Sequence, residues 1–147
     1  MILCDSNIFL IDRFFKRDEH YAVNRRFVET LPTLDAGIAI YNLFEICGIA
    51  SFNLSPKELE QWFYHFDELF KVQVVYPKGL EQTLEKYFET LTPELFRLFG
   101  KRMTFVDAQM LSLAEEHRAT HLVTWNKKDF EGRTKIAVMT PETFLAG

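Results

Sequence analysis

The sequence predicts an α/β fold with three layers, α/β/α, around a mainly parallel sheet. Three observations carry that reading. Short apolar runs recur along the chain, at 1–5, 36–40, 72–76, 121–125 and 135–139. Longer stretches with apolar residues at helical spacing separate them. Serine or threonine followed by proline, together with chain-stopping glycine, punctuates the boundaries. Strands that alternate with helices pair in parallel, because a parallel connection needs a crossover as long as a helix.

Taken in order, "MILCD" reads as the first strand. "SNIFLIDRFFK" has apolar residues at 8, 9, 11, 14 and 15 and reads as a helix that Ser6 or Asn7 can cap. "HYAVNRRFVETL" is a second helix, stopped by Pro32, and "AGIAI" is a short buried strand. "YNLFEICGIASF" is a helix with Glu45 in its first turns. Residues 55–70 form one helix with a strong start: Ser55 as N-cap, Pro56 at the first position and Glu58 at the third. "VQVVY" is a strand. Residues 80–91 form an amphipathic helix, and Thr92-Pro93 signals the start of a separate one that ends at Gly100. "TFVDAQMLSLAEEHRA" is helical, "HLVTW" a strand, "NKKDFEGRT" a loop, "KIAVM" the last strand and "TPETFLAG" a short capped tail.

A chain of 147 residues, 48% hydrophobic and 26% charged, has the size and composition of one domain, assigned to residues 1–147. No apolar run reaches the roughly 20 residues a membrane helix needs, and the start lacks the flanks of a signal peptide. Cys4 and Cys47 are isolated, which suits reduced thiols in a cytoplasm. The net charge of −4 argues mildly against nucleic-acid binding. The average conceals basic spots at 13–17, 25–26, 101–102 and 127–128, read chiefly as solvated faces.

In open α/β sheets ligands sit beyond the carboxyl ends of the strands. Asp5 ends the first strand. Glu45 follows the second within an otherwise apolar helix, Asp107 opens a helix, and Asn126 and Asp129 follow "HLVTW". Each segment therefore brings an oxygen donor to the same rim. Two carboxylates about 4 Å apart repel by on the order of 4 kcal/mol at an effective dielectric near 20. A cation relieves that repulsion, and an all-oxygen donor set selects Mg²⁺ or Mn²⁺ over zinc. Such a pocket suits phosphodiester hydrolysis, in which metal ions activate a water and neutralise the phosphate. Ser6 and Asn7 would orient a ligand or a metal-bound water, and Lys127 and Lys128 would meet the phosphate backbone. Plainer readings stand beside these. Asp5 can serve as an N-cap, Asp107 can share a capping box with Thr104, and Asp129 and Asn126 can be ordinary loop residues. Asp12, Asp18 and Asp67 are expected to face water.

On "ILCDSNIFLI", on Glu45 in "YNLFEICGIA", on "FVDAQMLSLAEEHRATHLVTWNKKDF" and on "KIAVMTPETFL", the chain resembles PIN domains, in particular the VapC-type toxins of toxin–antitoxin pairs. These pieces span nearly the whole chain in order, and the block from Asp107 to Phe130 is the most specific. The resemblance implies a Mg²⁺- or Mn²⁺-dependent endoribonuclease with the PIN fold, often a homodimer, inhibited by a cognate antitoxin protein. Asp5, Glu45 and Asp107 match the three core acids, as catalytic and metal-binding residues. For the fourth position Asn126, as a metal ligand, stands where some members carry aspartate, and Asp129 follows as a further catalytic candidate. Ser6 replaces the commoner threonine, and Thr124 matches the motif threonine.

Two other functions compete. A metal-dependent phosphatase or 5′ nuclease would use a similar acidic pocket, but an aspartyl-nucleophile phosphatase wants an aspartate at position 7, which is asparagine here. The non-enzymatic alternative is a degenerate PIN domain that binds nucleic acid or protein without catalysis. Retention of all three core acids argues against it.

Overall fold

The computed structural model describes residues 1–147. Five strands, β1 (Ile2–Cys4), β2 (Ala36–Ala39), β3 (Gln73–Val75), β4 (His121–Val123) and β5 (Ala137–Met139), form one sheet in the order β3-β2-β1-β4-β5. Every pairing is parallel. The chain leaves β1 to build β2 and β3 on one side, then crosses to lay β4 and β5 on the other. The strand order therefore reverses between β1 and β4, the place where such sheets open a crevice at their carboxyl ends.

Side chains alternate across the sheet. Ile2, Cys4, Ile38 and Val123 point into one core with helices α1 (Ser6–Phe14), α2 (Tyr21–Thr30), α3 (Ile40–Ala50), α4 (Pro56–Tyr64) and α5 (Phe66–Phe70). The short last helix, α8 (Pro141–Leu145), packs on that side through Phe144 and Leu145. Leu3, Ala39, Val75 and Leu122 point into the second core with α6 (Leu84–Phe99) and α7 (Phe105–Glu116). The result is the expected α/β/α arrangement. Gly37 sits at a close approach: a Cβ there would meet Val75 Cγ2 at 2.9 Å and the Gln73 carbonyl at 3.2 Å.

Several boundaries differ from the sequence reading, each for a local reason. The N-cap of α1 is Asp5 rather than Ser6 or Asn7: Asp5 is extended, and its carboxylate accepts the Ser6 N–H at 2.6 Å. The helix over 55–70 breaks at His65 into α4 and α5. The break is invisible in the pattern because Trp62, Phe66 and Phe70 keep four-residue spacing across it, and Phe66 and Phe70 both lie edge-on to Phe9, with centroids 5.0 and 4.9 Å away. The opposite occurs in α6, which begins only after the Thr83 cap and then runs through Pro93 without stopping. Pro93 is exposed, and Thr92 Oγ1 donates to the Phe88 carbonyl at 2.7 Å, one turn back. Asp12 does not face water: its side chain is 9% exposed and holds Arg25 at 3.1 Å. Asp18 and Asp67 are exposed as expected. Ser55 and Glu58 form the anticipated capping box, and Thr140 caps α8. Both cysteines are free, Cys4 buried and Cys47 half-buried. No helix is long and apolar enough to cross a membrane.

Candidate active site

Asp5 leaves β1 at the point of strand reversal and is buried. All four lone-pair positions of its carboxylate are taken. Oδ1 accepts from the Ser6 N–H at 2.6 Å and from Asn42 Nδ2 at 3.2 Å. Oδ2 accepts from Asn7 Nδ2 at 2.6 Å and from Thr124 Oγ1 at 2.6 Å. The donors come from β1's own continuation, from α3 and from the end of β4, so the tertiary fold, not the local sequence, builds this cradle. Burial pushes the Asp5 carboxyl up to about 7, opposed by the Thr124 and Ser6 hydrogen bonds and reinforced by the negative charges of Asp107 and Glu45. The site thus contains an acid that feels both of the other predicted acids.

Glu45 is half-buried on α3 and accepts a hydrogen bond from Ser6 Oγ through Oε2. Asp107 is half-buried in the first turn of α7. There it has the capping relation with Thr104: its Oδ2 accepts from Thr104 Oγ1 at 2.6 Å and its N–H reaches the same hydroxyl at 3.4 Å. Burial raises the Asp107 carboxyl above its ordinary range, the charge of Asp129 adds to the rise, and the Thr104 hydrogen bond and the Arg133 cation oppose it. Asp129 is half-buried at the end of a 3-10 turn, Lys127–Asp129. Asn126 heads that turn and is exposed, with its N–H on Thr124 Oγ1 at 2.9 Å. Thr124 is fully buried and joins three partners, Asp5, Asn7 and the Asn126 backbone. Lys127 is tied to Glu131 at 3.1 Å, while Lys128 is exposed.

Two residues not singled out from the sequence complete the arrangement. Asn42 is fully buried and donates Nδ2 to both Asp5 Oδ1 and Ser6 Oγ, the latter at 2.9 Å. Its Oδ1 is buried without a partner. Turning the amide over would aim an oxygen at the Asp5 carboxylate, so the demand for a donor there explains the unmet acceptor. A signal existed in "YNLFE", where Asn42 and Glu45, three apart, share a helix face. Arg133 is the other. Its Nε donates to the Lys101 carbonyl at 2.8 Å and its Nη1 to the Lys128 carbonyl at 2.7 Å, bracing the turn that carries Asp129. Nothing local in "EGRT" announces this role.

A hard divalent cation fits the donor chemistry of the site. None of the ion pairs in the chain includes Asp5, Glu45, Asp107 or Asp129, so their mutual repulsion is not relieved by a paired lysine or arginine. Glu45 and Asp107 each give one carboxylate oxygen to a hydroxyl and keep the other. As folded, no three Asp, Glu, His or Cys side chains surround one point at ligand distance. Sharing an ion therefore requires the Glu45 and Asp107 side chains to close on Asp5 and one of the four donors on Asp5 to release its oxygen.

The chain has a PIN-like fold. No family model matches the sequence, and no curated protein matches it. Solved structures do share its fold over nearly the whole length. They include a toxin–antitoxin complex from Klebsiella pneumoniae, with 20% identity, TM-score 0.61, 96% of this chain and 98% of that one. FitAcB from Neisseria gonorrhoeae matches with 16% identity, TM-score 0.63, 97% of this chain and 99% of that one. VapBC-1 from nontypeable Haemophilus influenzae matches with 20% identity, TM-score 0.61, 97% of this chain and 99% of that one.

Proposed function

We propose that this chain is a metal-dependent endoribonuclease, the toxin of a toxin–antitoxin pair. The observation that carries the reading is the buried Asp5 at the strand reversal, held by four donors and repelled by Glu45 and Asp107. Bound Mg²⁺ or Mn²⁺ would supply a nucleophilic water and neutralise charge on the scissile phosphate. Asp5, Glu45 and Asp107 are the residues to hold it, with Asn126 or Asp129 as the fourth donor. Ser6 and Asn42 keep Glu45 and Asp5 in register, and Thr124 and Asn7 fix the Asp5 carboxylate plane. Asp129, whose charge acts on Asp107, would take a proton from the attacking water.

The toxin role is supported by a neighbour of the same fold that is a toxin–antitoxin complex. A cognate antitoxin, an RNA substrate and a homodimer follow as parts of the same reading. The two free cysteines suit a reducing cytoplasm. RNA cleavage tests it: wild type with Mg²⁺ or Mn²⁺ is expected to cut, while EDTA, Asp5→Asn and Asp107→Asn each remove most of the activity. Cleavage that survives all three refutes it.

One observation favours a second reading. A carboxylate already saturated with hydrogen bonds, with no three acids at ligand distance, also describes a PIN-like module that binds without cutting. RNA binding without cleavage across varied RNAs would select it.

A further inference from the structure

Trp125 follows Thr124, whose hydroxyl holds Asp5, and so stands at the carboxyl rim of the sheet. Its backbone N–H donates to Asn7 Oδ1 at 3.3 Å, and the other end of the same amide donates to Asp5 Oδ2 at 2.6 Å. Its indole N–H donates to Asn24 Oδ1 at 2.8 Å. Asn24 is fully buried on α2 and gives its Nδ2 to the Ile8 carbonyl at 2.8 Å. Trp125 is thus anchored at both its backbone and its ring, and a ring already fixed loses little freedom when a further group stacks on it.

His20 lies flat on that indole, with centroids 4.1 Å apart and planes 7° from parallel. It heads α2, yet its side chain makes no capping bond. Its ring makes no hydrogen bond, and the nearest carboxylate, Glu19 at 3.7 Å, is itself exposed. One face of the imidazole rests on Trp125, but 44% of the side chain meets solvent, and no second aromatic ring covers the other face. The fold therefore holds an open π surface, two rings deep, whose inner ring is tied through Asn7 to the Asp5 carboxylate.

We propose that Trp125 and His20 form a stacking platform for one nucleobase of a single-stranded RNA, which lies on the free face of His20 while its nucleotide flanks the scissile bond at the Asp5 site. The proposal rests on the ribonuclease reading for its choice of RNA. Every base has a flat π face, so such a platform holds a strand without reading its sequence. Continuity with the rim selects the occupant: two hydrogen bonds through Asn7 separate the Trp125 backbone from Asp5, so a strand with its phosphate at Asp5 carries a neighbouring base past these rings. Stacking also suits a chain of net charge −4, because it adds affinity without adding cations.

The test uses single-stranded RNA with 2-aminopurine at each position in turn, at pH 8 and with Ca²⁺ replacing Mg²⁺ to hold back cleavage. The wild type is expected to quench the probe at one position. His20→Leu keeps the indole covered, removes the π face and deletes no capping bond. It is expected to restore the emission and to bind about tenfold more weakly, with an unchanged slope of log affinity against log salt because no phosphate contact is lost. His20→Phe is expected to recover both quenching and affinity, which a role for the imidazole as donor or charge does not allow. A probe quenched at no position, a leucine variant as tight as the wild type, a phenylalanine variant as weak as the leucine one, or a wild type that binds no RNA each overturn the proposal. Failure of the two readings is separable. A quenched, His20-dependent base on a protein that never cuts with Mg²⁺ or Mn²⁺ keeps the platform and sinks the nuclease; cleavage by a protein whose affinity and quenching ignore His20 does the reverse.

Discussion

Thr124 Oγ1 donates to Asp5 Oδ2 at 2.6 Å, joining residues 119 positions apart across the reversal of the sheet. Both are buried, and the same hydroxyl accepts from Asn126 and Asn7. Thr124→Val keeps the shape and removes the hydroxyl, leaving Asp5 one donor short. A cost of about 1–3 kcal/mol in urea unfolding is expected, and Thr124→Ser should recover most of it. Equal stability of the valine variant would show that water replaces the hydroxyl.

Stability in the absence of metal should fall as pH rises. The Asp5 carboxyl is pushed up to about 7 in the fold, against about 3.9 in an unfolded chain. The unfolded chain releases this proton first, so the penalty begins near pH 4, grows through the interval and is complete above about 7. Asp107, also raised, acts with the same sign. Thermal melts in EDTA are expected to show a lower Tm at pH 8 than at pH 5, a difference that Asp5→Asn flattens and that Mn²⁺ reduces in the wild type. A pH-independent difference between wild type and Asp5→Asn would contradict this.

Pro93 sits inside α6, exposed, where it removes one backbone hydrogen bond. Pro93→Ala restores the donor. Part of the roughly 3 kcal/mol helix penalty is offset, because proline also restricts the unfolded chain. A Tm higher by a few degrees is expected; a lower one would mean that the ring is required by packing.

The reach of the sequence is clearest at these residues. The sheet and its parallel sense were legible because each strand is a short apolar run between helices, and the capping box at Ser55 and the cap at the start of the last helix were legible because their chemistry is local. Pro93 misled because a proline followed by good helix formers reads as a start, whereas packing of Leu95 and Leu98 against the second core carries the helix through. The delivery of Asp5 at the end of β1 was legible from the apolar run before it. What holds its carboxylate was not. Asn42 and Arg133 act through partners that only the fold brings near, and the saturation of Asp5 depends on donors from three separate segments.

Mn²⁺ binding followed by electron paramagnetic resonance, in wild type, Asp5→Asn, Glu45→Gln, Asp107→Asn and the distant control Asp12→Asn, asks whether far-separated acids hold one ion. A shared ion predicts saturable binding to the wild type and control, weakened at least about tenfold by each of the other three changes. Wild-type binding retained in all three, or no binding by the wild type at all, would contradict it.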